Sequence, residues 1–575
     1  MQTSQTFKQL TSFVLFLSLT PISAYANAQA AVPKAIAARI AQNPPVQLNA
    51  AMQLQLVHYL SSILNVNPMQ AIATKKSDPL TILDLSQKET TQEEQELIKT
   101  WADMIERDTL KSNIASFINQ LKSRPTPIAP TLQKLPPAQL EYATQMLSAS
   151  IEAVVKMRGL TSDSRDAKYH EWSKLSERMI KQVNSTKPGA EHVLDLAKSS
   201  WLKTEKAEIL VNGPASFAKR DQFMKSAVDS INILTWSIYD DLTGTQLADL
   251  LIQKKKENPS LKIRVIVDGQ VAKTPGHGAQ VTRLENAGIE VIRWFSKDLT
   301  FVGQHRKMLI VDNMHMVAGG LNFGDVYSHK NPSVPGWRDT DIYIKGAGAQ
   351  EGNRLFAEIW NDQIKEQNQL KYEKMDADEK IAEDNTSESP VELSLINHDP
   401  RHSKNGSTIM LTILKAIREA KQSIDIENAY IILFPALKSE IQAAINRNVK
   451  VRVFTNSSQS VDEPVVSIPI LRSAYEFASM GAQVFLKNGT TLHSKVLVVD
   501  SDLSMIMSYN LHPRSERVEG EMAIAVRNKA FAKAMHDLVT QDVQTLGTAI
   551  RSANEIKIPD SAVSVPTLRI FFDML

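Results

Sequence analysis

An internal duplication constrains this chain more than any other feature of its sequence. His305, Lys307, Asp312 and Asn322 are each matched 188 positions later by the same residue type, at His493, Lys495, Asp500 and Asn510. Ile263-Arg264-Val265 and Val451-Arg452-Val453 keep the same 188-residue offset. Stacked repeat arrays have periods of roughly 20–50 residues, so a period this long means a duplicated domain. One matched His-x-Lys tripeptide arises easily by chance. A constant offset shared by strand-like and polar positions does not.

Strands and helices alternate around the repeated positions. In the first copy, residues 231–238 (INILTWSI) read as a buried strand, 244–256 as a helix, 263–267 as a strand, 282–287 as a helix and 289–294 as a strand. The same order returns at 424–432, 437–447, 451–454, 468–480 and 483–486. Such alternation predicts an α/β class, here two similar lobes of mixed sheets flanked by helices. Lobe 1 is expected over 201–370 and lobe 2 over 393–575. The acidic stretch between them, 371–392, is poor in apolar residues and reads as an exposed linker.

The 575 residues exceed what one hydrophobic core supports. Residues 29–200 read as a mostly α-helical accessory region, with apolar side chains at helical spacing over 49–66 and 138–157 and a proline-rich connector over 124–137. It shows no chemistry. Residues 1–28 follow the order of a secretory signal: Lys8, an apolar stretch over 10–19, Pro21, then Ala24-Tyr25-Ala26 and Ala26-Asn27-Ala28. That stretch is short beside the roughly 20 apolar residues of a membrane span. The expectation is an exported protein, periplasmic or secreted and peripheral to a membrane.

The chain has no cysteine, which removes disulfides, thiolate zinc sites and cysteine nucleophiles together. Its net charge of +2, with no basic-aromatic stripe, argues against a nucleic acid partner.

Each copy carries His-x-Lys-x4-Asp and then a turn ending in asparagine: Gly319-Gly320-Leu321-Asn322 in the first, Met507-Ser508-Tyr509-Asn510 in the second. Strand alternation puts His305, Lys307 and Leu309 on one face and Met308 and Ile310 on the other. These residue types suit a phosphodiester. Lys307, Lys495, Asn322 and Asn510 are candidates to hold its non-bridging oxygens. A neutral histidine attacks phosphorus, and a second, protonated one gives its proton to the leaving oxygen. The scheme needs neither metal nor cofactor. His58, His170, His192 and His536 sit in helical patterns without ligand spacing and read as structural. His315 and His329 have no counterpart in the second copy.

Two His-x-Lys-x4-Asp motifs on one chain resemble the phospholipase D superfamily. Within it, Gly319 to Asp325 with Tyr327 and Trp337-Arg338-Asp339-Thr340 are similar to the first half of bacterial cardiolipin synthases. Thr455-Asn456-Ser457, Ser460, Asp462, Asn510 to Ser515 and Glu521 are similar to the second half. The resemblance covers about residues 202–545. It implies one site at the interface of the lobes, with Asp339 and Glu521 orienting the imidazoles and Asp312 and Asp500 bracing the site. It also implies a phospholipid substrate at a membrane surface, with water, an alcohol or a second phospholipid as acceptor. Met507 stands where many relatives have glycine, so the second turn is expected to be reshaped. A nucleic acid phosphodiesterase and an inactive scaffold are the competing readings. The lipid reading predicts apolar loops at 297–303 and 431–435. The apolar end, 568–575, reads as a packed strand.

Overall fold

The computed structural model describes residues 164–297, 302–368, 370–381, 390–403, 405–462 and 466–557, with isolated positions between 101 and 144. The expected signal over 1–28, most of the helical region, part of the loop at 297–303 and the end at 568–575 lie outside the described residues. The chain divides into one unit of residues 1–171 with 559–574 and a second unit of residues 172–558. The second unit holds both copies of the motif.

It opens on the end of α1 (Ser164–Ser185). The first copy then runs β1 (Leu202–Thr204), β2 (Lys206–Val211), α2 (Asn212–Ser226), β3 (Ser230–Thr235), α3 (Leu242–Glu257), β4 (Lys262–Asp268), α4 (Ala279–Asn286), β5 (Glu290–Trp294), β6 (Gly303–Gln304), β7 (Met308–Val311), β8 (His315–Gly319), α5 (Asp325–Ser328), β9 (Thr340–Lys345) and α6 (Ala347–Glu366). The second runs β10 (Val391–His398), α7 (Thr408–Glu419), β11 (Ser423–Asn428), α8 (Pro435–Asn446), β12 (Lys450–Asn456), α9 (Ser467–Met480), β13 (Gln483–Lys487), β14 (Lys495–Val499), β15 (Leu503–Met507), α10 (Pro513–Arg517), β16 (Glu519–Arg527), α11 (Lys529–Leu546) and β17 (Gly547–Ile550).

The two sheets repeat one topology. The first has the order β2-β9-β8-β7-β3-β4-β5, and the second contains β10-β16-β15-β14-β11-β12-β13. In each, the three strands at one end pair in parallel and the rest antiparallel. The mixed α/β class and the duplicated lobes read from the sequence are therefore present. Three departures matter. β1 joins the second sheet beside β10, and β6 pairs with β16, so strands of the first copy complete the sheet of the second. β3 and β11 end at Thr235 and Asn428, earlier than the apolar runs predict, and the residues beyond them turn into the cleft. The stretch expected as an exposed linker is exposed at most positions of 371–381, and it is also strapped to lobe 1. Trp360 Nε1 donates to the Glu373 carbonyl at 3.0 Å, and Asn361 pairs with the Met375 backbone at 2.8 and 2.9 Å. Half-buried Tyr372 and Met375 anchor this strap while its acidic side chains face water.

Alternation sorts the motif strands into separate cores. Leu309 and Val311 face the outer core of lobe 1, and Leu497 and Val499 that of lobe 2. Met308, Ile310, Val496 and Val498 face a central core between the sheets, filled by Phe356 and Trp360 of α6 and Phe531, Met535 and Val539 of α11. The apolar faces of both sheets thus meet around two helices, and burial of that shared core holds the lobes together. Helix starts follow side-chain capping: Ser407 accepts from the Met410 N–H at 2.9 Å, and Asn528 from Phe531 at 3.0 Å.

Candidate active site

Both His-x-Lys segments lie where one lobe pairs its backbone with the other. The His305 N–H donates to the Gly520 carbonyl at 2.8 Å, and the Gly303 N–H to Val518 at 2.7 Å. At the second site, the His493 N–H donates to the Arg338 carbonyl at 2.7 Å, and the Arg338 N–H to Thr491 at 2.9 Å. The residue preceding each histidine is held from its own lobe. Gln304 N–H donates to Asp268 Oδ2 at 2.7 Å, and Leu492 N–H to Asn456 Oδ1 at 2.9 Å.

This pairing crosses the carboxylates over. Nδ1 of His305, in lobe 1, lies 3.0 and 3.1 Å from the two oxygens of Glu521, in lobe 2. Nδ1 of His493, in lobe 2, lies 2.7 Å from Asp339 Oδ2, in lobe 1. Each carboxylate is positioned by other donors. Glu521 accepts from Ser508 Oγ and from Ser515 Oγ at 2.7 Å, and Asp339 Oδ1 accepts the Thr340 N–H at 2.7 Å. With the proton held on Nδ1 by a carboxylate, Nε2 of each ring is left with its lone pair. The duplicate of Ser508 is Gly320, where a Cβ would stand 2.2 Å from Asp339 Oδ1. Only glycine admits Asp339 at that distance. Gly319 has φ 149°, whereas Met507 at the duplicate position is an ordinary buried residue of β15, so the two turns differ as the glycine-to-methionine change predicts.

Lys307 and Lys495 are buried beside the histidines, and each ammonium folds back to donate to the carbonyl of its own histidine, Lys307 at 2.5 Å. Asn322 donates to Tyr327 Oη at 3.1 Å and accepts from Thr235 at 3.3 Å, while Asn510 Oδ1 is buried without a hydrogen-bond partner. Asp312 and Asp500 are elsewhere. Asp312 accepts the N–H groups of Val228, Asp229 and Ser230, and Asp500 those of Lys421, Gln422 and Ser423. Each fastens the start of the neighbouring strand at the far end of the motif strand, with φ near 50°.

The structure gives places to Tyr327, Trp337 and Arg338, which the family resemblance already named, and adds Trp236 and the Tyr430 ring. Tyr327 meets the His493 ring edge-on at 5.1 Å, with Trp337 at 5.5 Å and Tyr430 at 6.5 Å. Trp236 stands 5.9 Å from His305. Most of these lie on loops beyond strand ends, where no periodicity marks them. Arg338 locks the second clamp to lobe 2 by donating to Asp542 at 2.8 and 2.5 Å. Among the described residues, His305, Glu519 and Glu521 are the one group close enough to share a metal ion. Glu519 is already paired with Arg514 at 2.5 Å, so a cation there would compete with a guanidinium.

Burial and the adjacent Lys307 push the His305 imidazole well below its ordinary range. Burial and Lys495 lower His493 as well, with Asp339 working against them. Burial disfavours charge on Asp339, but His493 and Lys495 outweigh it and hold the carboxyl low. Burial also brings Lys307 down to about 7 and Lys495 to about 8.

Comparison with known proteins agrees with this architecture. The family described as "Cardiolipin synthase, PLD-like domain" matches residues 221–334 and 413–543, one match in each lobe. Cardiolipin synthase A of Pseudomonas entomophila (strain L48) is 28% identical over 372 residues, covering 64% of this chain and 73% of the relative. The same enzyme of Pseudomonas putida (strain GB-1) is 28% identical over 374 residues, again 64% and 73%. A crystal structure of phosphatidylserine synthase from Haemophilus influenzae Rd KW20 shares the fold, with TM-score 0.52 at 14% identity over 63% of this chain and 92% of that one. Two matched lobes, joined around crossed histidine–carboxylate pairs, make this chain similar to enzymes of the phospholipase D superfamily, of the cardiolipin synthase-like kind.

Proposed function

We propose that this protein is an exported enzyme that cleaves phospholipids at the phosphodiester and passes the phosphatidyl group to an alcohol, a second phospholipid or water through a covalent phosphohistidine. The observation that carries this reading is the pair of imidazoles buried in one cleft, each with Nδ1 held by a carboxylate of the other lobe. Burial and the adjacent lysine lower both rings, more strongly at His305, while Asp339 works against the lowering at His493. We therefore assign His305 as the nucleophile, whose Nε2 attacks phosphorus, and His493 as the proton donor. The bond to the head-group oxygen breaks as His493 delivers its proton there. The acceptor hydroxyl then gives its proton to His493 while its oxygen attacks, and the phosphorus–nitrogen bond breaks. Lys307, Lys495 and the amides of Asn322 and Asn510 carry the charge on the non-bridging oxygens.

The test is product analysis by mass spectrometry, with the purified chain, mixed bacterial phospholipids and chelator, and with single-stranded DNA and RNA in parallel. Phosphatidic acid or an exchanged lipid, lost in His305→Ala, is expected. Untouched lipid beside cut oligonucleotide would overturn the reading.

The pH profile follows from the same groups. The nucleophile must be neutral, and its range is depressed, so kcat/KM falls on the acid side only below histidine's usual 6.5. The acid His493 must be protonated and its range is lowered too, so kcat/KM begins to fall on the alkaline side of that lowered range and falls further as the lysines lose charge through about 7 to 8. The alkaline limb of kcat moves upward, because bound phosphate favours the ammonium forms. A kcat/KM profile still rising beyond pH 9 would contradict this.

A further inference from the structure

Each histidine takes its backbone partner from the other lobe, and that pairing fixes which residues of the two sites correspond. Gly520 accepts the His305 N–H and Arg338 accepts the His493 N–H, so Glu519, one residue earlier, corresponds to Trp337. The two side chains differ in kind. Trp337 sets an indole 5.5 Å from the His493 ring, whereas Glu519 puts a carboxylate oxygen 3.9 Å from Nδ1 of His305. His305 therefore has two carboxylates beside one ring nitrogen, Glu521 at 3.0 Å and Glu519 behind it. Among the described residues His493 has one at ion-pair distance, Asp339 at 2.7 Å. Glu519 is buried and held in place. Arg514 Nε donates to its Oε1 at 2.5 Å, and Ser515 Oγ stands 3.3 Å from its Oε2 and 2.7 Å from Glu521. Burial disfavours charge on Glu519, yet His305 and Arg514 outweigh it and hold the carboxyl low.

We infer that Glu519 is a second counter-charge to His305, a positioning residue that stabilises the cationic ring of the phosphohistidine while Glu521 holds the Nδ1 proton. The inference rests on the proposed function, with His305 as nucleophile. The charge balance of the first displacement calls for such a group. The Nε2 lone pair forms the nitrogen–phosphorus bond. The phosphorus–oxygen bond breaks with its electrons on the head-group oxygen, which takes the proton of His493. Nδ1 keeps its own proton, so the His305 ring gains one positive charge as the bond forms. In a buried site an anion 3.9 Å away favours that charge. His493 becomes neutral in the same step, and an indole in place of a second carboxylate suits it. In the free chain Glu519 also favours protonation of His305, against burial and Lys307. Its removal should therefore move two observables together, the rate of bond formation and the pH at which the nucleophile is lost.

The charged groups facing His305 are Lys307 of its own segment, His493 and Lys495 of lobe 2, and Glu519 and Glu521 of β16. Arg514 and His512 face Glu519 in turn. A phosphatidyl donor with a p-nitrophenyl head group reads His305 apart from the acid, because nitrophenolate leaves unprotonated. The full chain is mixed rapidly with this donor across the acid pH range, and the nitrophenol burst is read after an alkaline quench. Glu519→Gln is expected to slow the burst on the order of tenfold and to move its acid limb down by about one pH unit, both from one lost charge. Arg514→Gln is expected to move the limb up, since Glu519 then lacks the cation that offsets it. A side chain that merely packed the site would slow the burst and leave the limb in place. An unmoved acid limb in Glu519→Gln would overturn the inference. If that variant does not fold, Arg514→Gln decides: a raised limb supports the counter-charge, and an unmoved one overturns it. Native chain that releases no nitrophenol, or whose phosphatidyl adduct maps to His493, would sink the proposed function itself, and this inference with it.

Discussion

With a phosphatidyl donor whose head group is p-nitrophenol, His493→Ala is expected to release close to one equivalent of p-nitrophenol per chain and then stall, while His305→Ala releases none. The asymmetry comes from the leaving group. Nitrophenolate departs without a proton, so loss of the acid leaves the first displacement intact. The second displacement still needs a base to take the proton of water, so the phosphohistidine accumulates. On a natural phospholipid the leaving alkoxide must be protonated, and both variants should lose at least about 10³-fold in turnover. Burst amplitude in rapid-mixing absorbance separates the two cases. Equal bursts in both variants would show that the roles are not divided this way.

The crossed carboxylates give the second large effect. Asp339→Asn and Glu521→Gln keep shape and much of the hydrogen bonding, yet remove the charge that fixes the tautomer of the histidine in the opposite lobe. Losses on the order of 10³–10⁴-fold are expected for each on natural lipid. The crossing also predicts which step suffers. Asp339 acts through His493, so Asp339→Asn should keep a full burst with the nitrophenyl donor. Glu521 acts through His305, so Glu521→Gln should slow the burst itself. If each carboxylate served the histidine of its own lobe, the pattern would reverse.

Much of this molecule was legible in the sequence because duplication leaves a metric. The 188-residue offset identified the paired histidines, lysines, aspartates and asparagines, and strand–helix alternation identified the lobes. The crossing was not legible, since Asp339 and Glu521 do not share that offset and a pairing between lobes leaves no trace within either copy. β6 is two residues long and has no periodicity to read, yet its pairing with β16 seats His305 against Gly520. The run 231–238 looked like one strand because Trp236 and Ile238 are as apolar as the strand proper. The chain leaves the sheet at Thr235, and Trp236 faces the cleft instead. The strap over 371–381 was hidden by its acidic composition, because it docks through Tyr372, Met375 and hydrogen bonds to its backbone.

Trapping the covalent intermediate tests the divided roles of the two histidines most directly. His493→Ala, incubated with the nitrophenyl donor, would be quenched in alkali, where phosphohistidine survives, then digested and mapped by mass spectrometry. A phosphatidyl adduct is expected on the peptide carrying His305, approaching one per chain and absent from the His305→Ala,His493→Ala double variant. An adduct on any other residue, or a full nitrophenol burst with no adduct on the chain, would contradict His305 as the nucleophile.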